Sequence, residues 1–254
     1  MNQHYPRVDI LGCPFNAVSL SETASEIASA VQNGGSLHIV TANVDFIMFA
    51  RRDADFREEV YRASLVVADG VPVLWAAKLF GEPLRGRVNG TELVLECVKI
   101  SQSGNVPVAM IGGDFELTRR AAEALNRDYP GAILEPIQTP FPLDGAANEE
   151  LVARIRDIGA KIVLVALGMP KQERWIQAYL DACGANVGIG IGSAFDQLSG
   201  SKPRAPVWMR NSGLEWFHRM LLEPRRLGKR YLVDDMPIVW HVLVEYGKRR
   251  LKMK

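Results

Sequence analysis

Lys161-Ile162-Val163-Leu164-Val165-Ala166-Leu167-Gly168-Met169-Pro170-Lys171-Gln172 is the most informative stretch of this sequence. Its apolar run does not alternate with polar residues, as it would in a strand with one wet face. A continuous run fits a strand buried on both faces. The run stops at Gly168, and the residues from Pro170 to about Ala182 read as a helix. Strand, glycine turn and helix make up the repeating unit of a parallel sheet.

The same unit recurs on either side. Leu37 to Val40 forms a short strand that ends at Thr41, and Asn43 opens an apolar helix through Phe49. Leu65 to Ala68 forms another and ends at Asp69-Gly70. Val106 to Ile111 is followed by Gly112-Gly113 and a helix through Asp128. Val187 to Ile191 is the last of five strands. The expected fold is α/β, a mainly parallel Rossmann-like sheet flanked by helices. A chain of 254 residues accommodates one such domain and a small appendage. After Ser201-Lys202-Pro203 the pattern turns helical and basic, so residues 1–203 are expected to be the catalytic core and 204–254 a helical appendage.

Composition narrows the class. Apolar residues at 48% and charged residues at 23% are ordinary for a globular protein. Cys13, Cys97 and Cys183 are odd in number and widely spaced, with no CxxC or zinc-type spacing, and read as free thiols in a reducing compartment. Met1 to Asp9 is polar and no apolar leader core follows. The longest apolar stretch, Met236 to Val244, is about half a spanning helix. The net charge of +1 conceals an asymmetry: residues 204–254 hold 12 Lys/Arg against 5 Asp/Glu, while 1–203 hold 18 against 24. A cationic end on an acidic body suits an anionic membrane, a nucleic acid or an acidic partner.

In open parallel sheets ligands bind beyond the carboxyl ends of the strands. The residues there are Thr41, Asn43, Asp69, Gly112, Gly113, Gly168, Lys171, Gln172 and Gly192 to Asp196. Asp69 is the strand-end carboxylate, and two readings stand for it: a general base for a hydroxyl nucleophile, or an Asp-Gly turn cap. Gly112-Gly113 and Gly168 sit at strand-to-helix turns, where backbone amides approach an anion such as a diphosphate, or where the chain simply turns tightly. Arg87, in the loop before Asn89-Gly90, is a planar phosphate partner or a solvated surface residue. The alternating Gly188, Gly190 and Gly192 resemble a dinucleotide fingerprint only weakly. They come after four strands and lack an acidic ribose ligand about 20 residues on, so close packing is the better reading. Asp53-Ala54-Asp55 has the letters of a metal-binding pair but the setting of a helix cap. No cofactor and no metal site is expected.

Taken together, these segments resemble the bacterial WecG/TagA/CpsF glycosyltransferases over nearly the whole chain. The resemblance rests on Thr41-Ala42-Asn43, Ala68-Asp69-Gly70-Val71-Pro72, Arg87-Val88-Asn89-Gly90-Thr91-Glu92-Leu93 and Ile111-Gly112-Gly113. It continues through Gly168-Met169-Pro170-Lys171-Gln172-Glu173, Phe195-Asp196, Gly213-Leu214-Glu215-Trp216 and Glu223-Pro224-Arg225-Arg226. It implies an inverting, metal-independent transferase that takes a UDP-sugar and an undecaprenyl-diphosphate-linked acceptor at the inner face of the cell membrane. Asp69 is then the base. Thr41, Asn43, Arg87 and Gln172 hold the sugar, the diphosphate or the acceptor, and Asp196 reads the uracil edge. Phe141 aligns with an aromatic that stacks on the base, although Gln138-Thr139-Pro140-Phe141 departs from the family's Gly-Tyr-Phe form. Glu92 stands where many members have Asp.

In the appendage, Trp208, Trp216, Met220, Trp240 and Leu243 interleave with basic residues. That pattern reads as a helix lying on an anionic membrane, or as a helix packed on the core with a solvated face. Arg219, Arg226 and Arg230 are the candidates to meet the acceptor diphosphate. The same apolar surface would also serve a homo-oligomer. Three rivals are weaker. A nucleotide-cofactor oxidoreductase or methyltransferase would need a glycine fingerprint at the first strand. A non-catalytic nucleotide- or lipid-binding module would not need Asp69. A nucleic-acid partner fits neither the acidic body nor any motif.

Overall fold

The structure is a computed structural model that describes residues 5–201, 205–206, 208–209, 214–222, 224–229 and 234–252. The apolar runs are strands. β1 (Arg7–Ile10) and β2 (Cys13–Asn16) pair as an antiparallel hairpin of their own. After α1 (Leu20–Asn33) come β3 (Leu37–Ala42), β4 (Leu65–Ala68), β5 (Val108–Gly112), β6 (Leu134–Ile137), β7 (Ile162–Ala166) and β8 (Val187–Gly190). These six form one sheet in the order β4-β3-β8-β7-β5-β6, parallel at every pairing. The α/β Rossmann-like expectation holds. The chain builds outward from β3 to β4, crosses to β5 and β6, and returns through β7 to place β8 beside β3. The strand order therefore reverses at the middle of the sheet, where open sheets bind ligands.

Helices cover both faces. They are α2 (Val44–Arg52), α3 (Ala54–Arg62), α4 (Val71–Leu79), α5 (Gly90–Gly104), α6 (Phe115–Asp128), α7 (Gly145–Ile158), α8 (Lys171–Tyr179) and α9 (Ala194–Leu198). Side chains alternate across each strand. Ile39, Val67, Met110, Leu164 and Ile189 point to the face covered by α1, α5, α6 and α9. Val40 and Val66 point the other way, into a cluster with the hairpin and α2–α4. Ala109, Ile111, Val163 and Val165 point to α7 and α8 on that same side. Burial on both faces is the physical reason the strands read as unbroken apolar runs.

The alternating glycines of β8 have a packing role. A Cβ at Gly188 would lie 2.6 Å from Ile176 Cγ2, and one at Gly190 would lie 2.6 Å from Gln172 Nε2. A side chain at either position would push Ile176 or the Gln172–Glu173 pair aside, so these glycines let the α8 side chains lie directly on β8. Asp53 is the N-cap of α3, its Oδ1 accepting from Phe56 N at 2.9 Å, as the capping reading of Asp53-Ala54-Asp55 expects.

The basic end is helical, with α10 (Glu215–Leu222), α11 (Pro224–Lys229) and α12 (Pro237–Lys252). Pro237 opens α12, a first-turn position that suits a residue without a backbone N–H. α12 also packs on the core: buried Ile238 and part-buried Val242 join the cluster of the hairpin and α2–α4. Arg249 Nη1 donates to Glu82 Oε1 at 2.7 Å and its guanidinium lies 4.3 Å from the Phe80 ring centroid.

Candidate active site

At the carboxyl end of the sheet, loops after β3, β4, β5, β7 and β8 surround a cleft of about 800 Å³. The turn before α5 and residues of α10 and α12 close its sides. Thr41, Asn43, Asp69, Arg87, Gly113, Gly168, Gln172 and Asp196 all line it. These positions are scattered over about 155 residues of chain, and the strand order brings them together.

Several are held by visible local geometry. Asn43 is the N-cap of α2, with its Oδ1 accepting from Phe46 N at 3.1 Å. Thr41 Oγ1 donates to Gly190 O at 2.7 Å, tying β3 to β8 at the cleft floor. Asp69 follows the last residue of β4, where its backbone N donates to Ala42 O at 2.8 Å. Arg87 Nη2 donates to Glu92 Oε1 at 3.0 Å, so Glu92 holds one edge of the guanidinium. Glu92 N in turn donates to Asn89 Oδ1, the N-cap of α5. Gln172 is 4% exposed, and its Oε1 accepts from Gly192 N at 3.2 Å.

Helix ends around the cleft differ in what they offer an anion. The N-termini of α2, α5 and α6 carry side-chain caps from Asn43, Asn89 and Asp114. Asp114 Oδ1 accepts from Glu116 N and Leu117 N at 2.9 and 3.2 Å, a carboxylate where the Gly112-Gly113 turn was expected to receive a phosphate. Gly112 itself is outside the cleft lining. Its N donates to Thr139 Oγ1 at 2.7 Å, and a Cβ on it would lie 2.7 Å from the Ala166 carbonyl carbon, so close approach of β5 to β7 accounts for it. The N-termini of α4 and α8, after Gly70 and Gly168, have no side-chain cap and face the cleft.

Other candidates lie apart. Phe141 is 88% exposed and outside the lining, with Lys171 Nζ 5.9 Å from its ring centroid. Lys171 is exposed and also outside the lining. Arg219 and Arg226 fall within α10 and α11, but their side chains lie outside the described residues, and Arg230 does so altogether.

The cleft also contains residues the sequence reading did not single out. Trp75 of α4 lines it while 62% exposed. Asp45 and Asp114, each next to a chosen strand-end position, line it too. Asp235, two residues before α12, is buried and reaches the cleft together with Trp216, Met236 and Val239. Proximity to a strand end would have flagged Asp45 and Asp114. No sequence signal ties Asp235 to a site whose other polar residues lie between Thr41 and Gln197.

Glu173 lies behind Gln172 and is 2% exposed. Burial pushes its carboxyl up to about 7. The three thiols are buried and free, and burial pushes their pKa values up.

Comparison with known proteins agrees with the geometry. Residues 8–252 match the model of the Glycosyl transferase WecG/TagA/CpsF family. Staphylococcus aureus strains NCTC 8325 / PS 47 and COL each have a relative 31% identical over 248 residues, covering 97% of this chain and 95% of the relative. That protein is named N-acetylglucosaminyldiphosphoundecaprenol N-acetyl-beta-D-mannosaminyltransferase, as is the equally similar one of strain MRSA252.

Proposed function

The chain belongs to the WecG/TagA/CpsF glycosyltransferase family, and from that premise we propose that it moves a hexose or N-acetylhexosamine-type sugar from a UDP-sugar to an undecaprenyl-diphosphate-linked acceptor. The chain is a glycosyltransferase; the donor, the acceptor and the residue roles are the proposal. The observation that carries it is the convergence of Asp69, Arg87, Gln172 and Asp196 with Thr41 and Asn43 on one cleft. The names of the Staphylococcus relatives, which act on a diphosphoundecaprenol-linked sugar, support the acceptor class.

The chemistry runs as a single displacement. Asp69 takes the proton of the acceptor hydroxyl as its oxygen attacks the anomeric carbon, and the bond to the UDP oxygen breaks. Attack from the face opposite the leaving group inverts the anomeric centre, and Asp69 forms no covalent bond. Negative charge grows on the departing diphosphate. Arg87 and the uncapped amino ends of α4 and α8 are the groups suited to receive it. Asp53 caps α3, pairs with Arg174 and does not line the cleft, so it has no part in the proposed reaction. Asp196, at the start of α9, is the proposed reader of the uracil edge.

Residues 204–254 are proposed to bring this cleft to a membrane surface at the inner face of the cell membrane. Among the described residues, 12 of the 17 large exposed apolar side chains fall between Trp208 and Leu251, beside the chain's excess of Lys and Arg. No described helix is long and apolar enough to cross a membrane.

A donor screen tests the reading. Protein is mixed in EDTA with a panel of UDP-sugars and a short-chain prenyl-diphosphate-sugar acceptor, and product mass is recorded. One UDP-sugar is expected to give product. Asp69→Asn is expected to lower turnover by at least about a hundredfold, typical for loss of a general base, and to leave UDP affinity within about twofold. Full turnover in Asp69→Asn would remove Asp69 as the base. No UDP binding by the unaltered protein would overturn the donor class.

A further inference from the structure

The mechanism leaves several buried ionisable groups unused, and one of them lies behind Gln172. Glu173 is 2% exposed, and among the described residues its Oε2 has no hydrogen-bond partner. A carboxyl buried with an empty oxygen costs stability. Its other oxygen accepts from Gln172 Nε2 at 2.7 Å, wholly inside the protein. The opposite end of the same amide accepts from Gly192 N at 3.2 Å.

These two bonds fix the direction of the Gln172 amide by chemistry alone. A backbone N–H can only donate, so the end facing Gly192 must be the carbonyl oxygen. A carboxyl oxygen without a proton can only accept, so the end facing Glu173 must be the NH2 group. Glu173 Oε1 plays this part in either protonation state, provided that any proton sits on Oε2. The pair lies flat on Gly190, where a Cβ would come within 2.6 Å of Gln172 Nε2 and 3.0 Å of Glu173 Oε1. The strand and Thr41 hold that floor in place, since Gly190 O accepts from Thr41 Oγ1 at 2.7 Å. One hydrogen of Gln172 Nε2 is taken by Glu173, and the second is the donor the side chain has left for a ligand.

We infer that Glu173 is a positioning residue: by accepting from Gln172 Nε2 it locks the Gln172 amide in one orientation, so that Gln172 meets the substrate with an N–H rather than with its carbonyl. The inference rests on the reading of the cleft as a sugar-nucleotide site only for its consequence in catalysis. The locking itself is a property of the fold. Without the acceptor, only the bond from Gly192 N would oppose a turn of the amide, and the orientation would be held by one hydrogen bond rather than two.

A double-mutant cycle with a spectroscopic arm tests it. Glu173→Met keeps the length and removes the acceptor, Glu173→Gln restores an acceptor oxygen, and Gln172→Ala removes the group being oriented. In the otherwise unaltered protein, Glu173→Met is expected to lower kcat/KM about tenfold, the worth of one buried hydrogen bond to a substrate group, and Glu173→Gln to recover most of that loss. On the Gln172→Ala background the same Glu173→Met change is expected to cost less than about twofold, because there is no amide left to orient. An equal loss on both backgrounds would mean that Glu173 acts through stability, and it would overturn the inference. So would a Glu173→Gln variant as impaired as Glu173→Met.

The second arm is independent of turnover. The Gln172 side-chain NH2 resonance, identified by its loss in Gln172→Ala, is expected to exchange slowly with solvent and to exchange faster in Glu173→Met. Unchanged exchange overturns the inference whether or not sugar is transferred. Slow exchange that Glu173→Met releases, in a protein that binds no UDP, supports the lock and places the fault with the sugar-nucleotide reading.

Discussion

Glu173 also makes the stability of the fold depend on pH. Burial pushes its carboxyl from 4.5 up to about 7, so between those values the folded chain holds a proton that the unfolded chain releases. Its stabilising share is fully present below 4.5 and is lost as pH rises through 7; for a shift of that size the loss is about 3 kcal/mol at most. His38 works in the opposite direction. Burial, with Nε2 unpartnered, lowers it from 6.5 to about 4, so its share is present above 6.5 and is lost as pH falls through 4. Subtracting the Glu173→Gln profile cancels the His38 contribution. Urea-unfolding free energies measured from pH 5 to pH 8 are expected to fall for the unaltered protein relative to Glu173→Gln. Parallel profiles would show that Glu173 does not titrate in this window.

At the scale of elements, the Asp53 cap separates two meanings of the same three letters. If Asp53 only caps α3, Asp53→Ala loses the bond to Phe56 N, worth about 1 kcal/mol, and lowers Tm by roughly 2–4 °C in a chain this long. Transfer in EDTA and in added magnesium or manganese is expected to match the unaltered protein. A drop in turnover with an unchanged Tm would instead make Asp53 a reaction residue. Caps of this kind are legible because a short polar side chain before an apolar helix has one common use. β3, β4, β5, β7 and β8 were legible for a similar reason, as both of their faces are buried. β6 was not: Leu134-Glu135-Pro136-Ile137 is an edge strand with an exposed Glu and a Pro, and its pattern carries no strand signal. The β1–β2 hairpin was missed because its strands are four residues long and pair only with each other. Helix α5 begins at Asn89-Gly90, which by itself reads as a loop. Most of the site was legible because it follows strand ends, whereas Asp235 and Trp216 of the appendage reach the cleft only by tertiary packing.

At the scale of the whole molecule, charge and apolar exposure are concentrated at the same end of the chain. Residues 1–203 are acidic on balance and 204–254 basic. Repulsion from anionic lipid should turn the core outward while the appendage faces the surface. Trp240 is 69% exposed and Leu221 62%, and neither lines the cleft. They can therefore be changed without touching the substrate-binding surface. The double change Trp240→Ser and Leu221→Ser is expected to weaken binding to vesicles rich in phosphatidylglycerol by about tenfold or more, given about 25 cal/mol for each Å² of apolar surface buried. Raised salt is expected to weaken binding of the unaltered protein as well, since basic side chains near an anionic surface lose their attraction over a Debye length. Turnover of a water-soluble short-chain acceptor should stay close to that of the unaltered protein, while turnover of an acceptor embedded in vesicles should fall in step with binding. Equal losses on both acceptors would mean that these side chains support the cleft through α10 and α12. Retained vesicle binding would move the membrane-facing surface elsewhere on the molecule, with the exposed face of α4 around Trp75 and Leu79 the next to test.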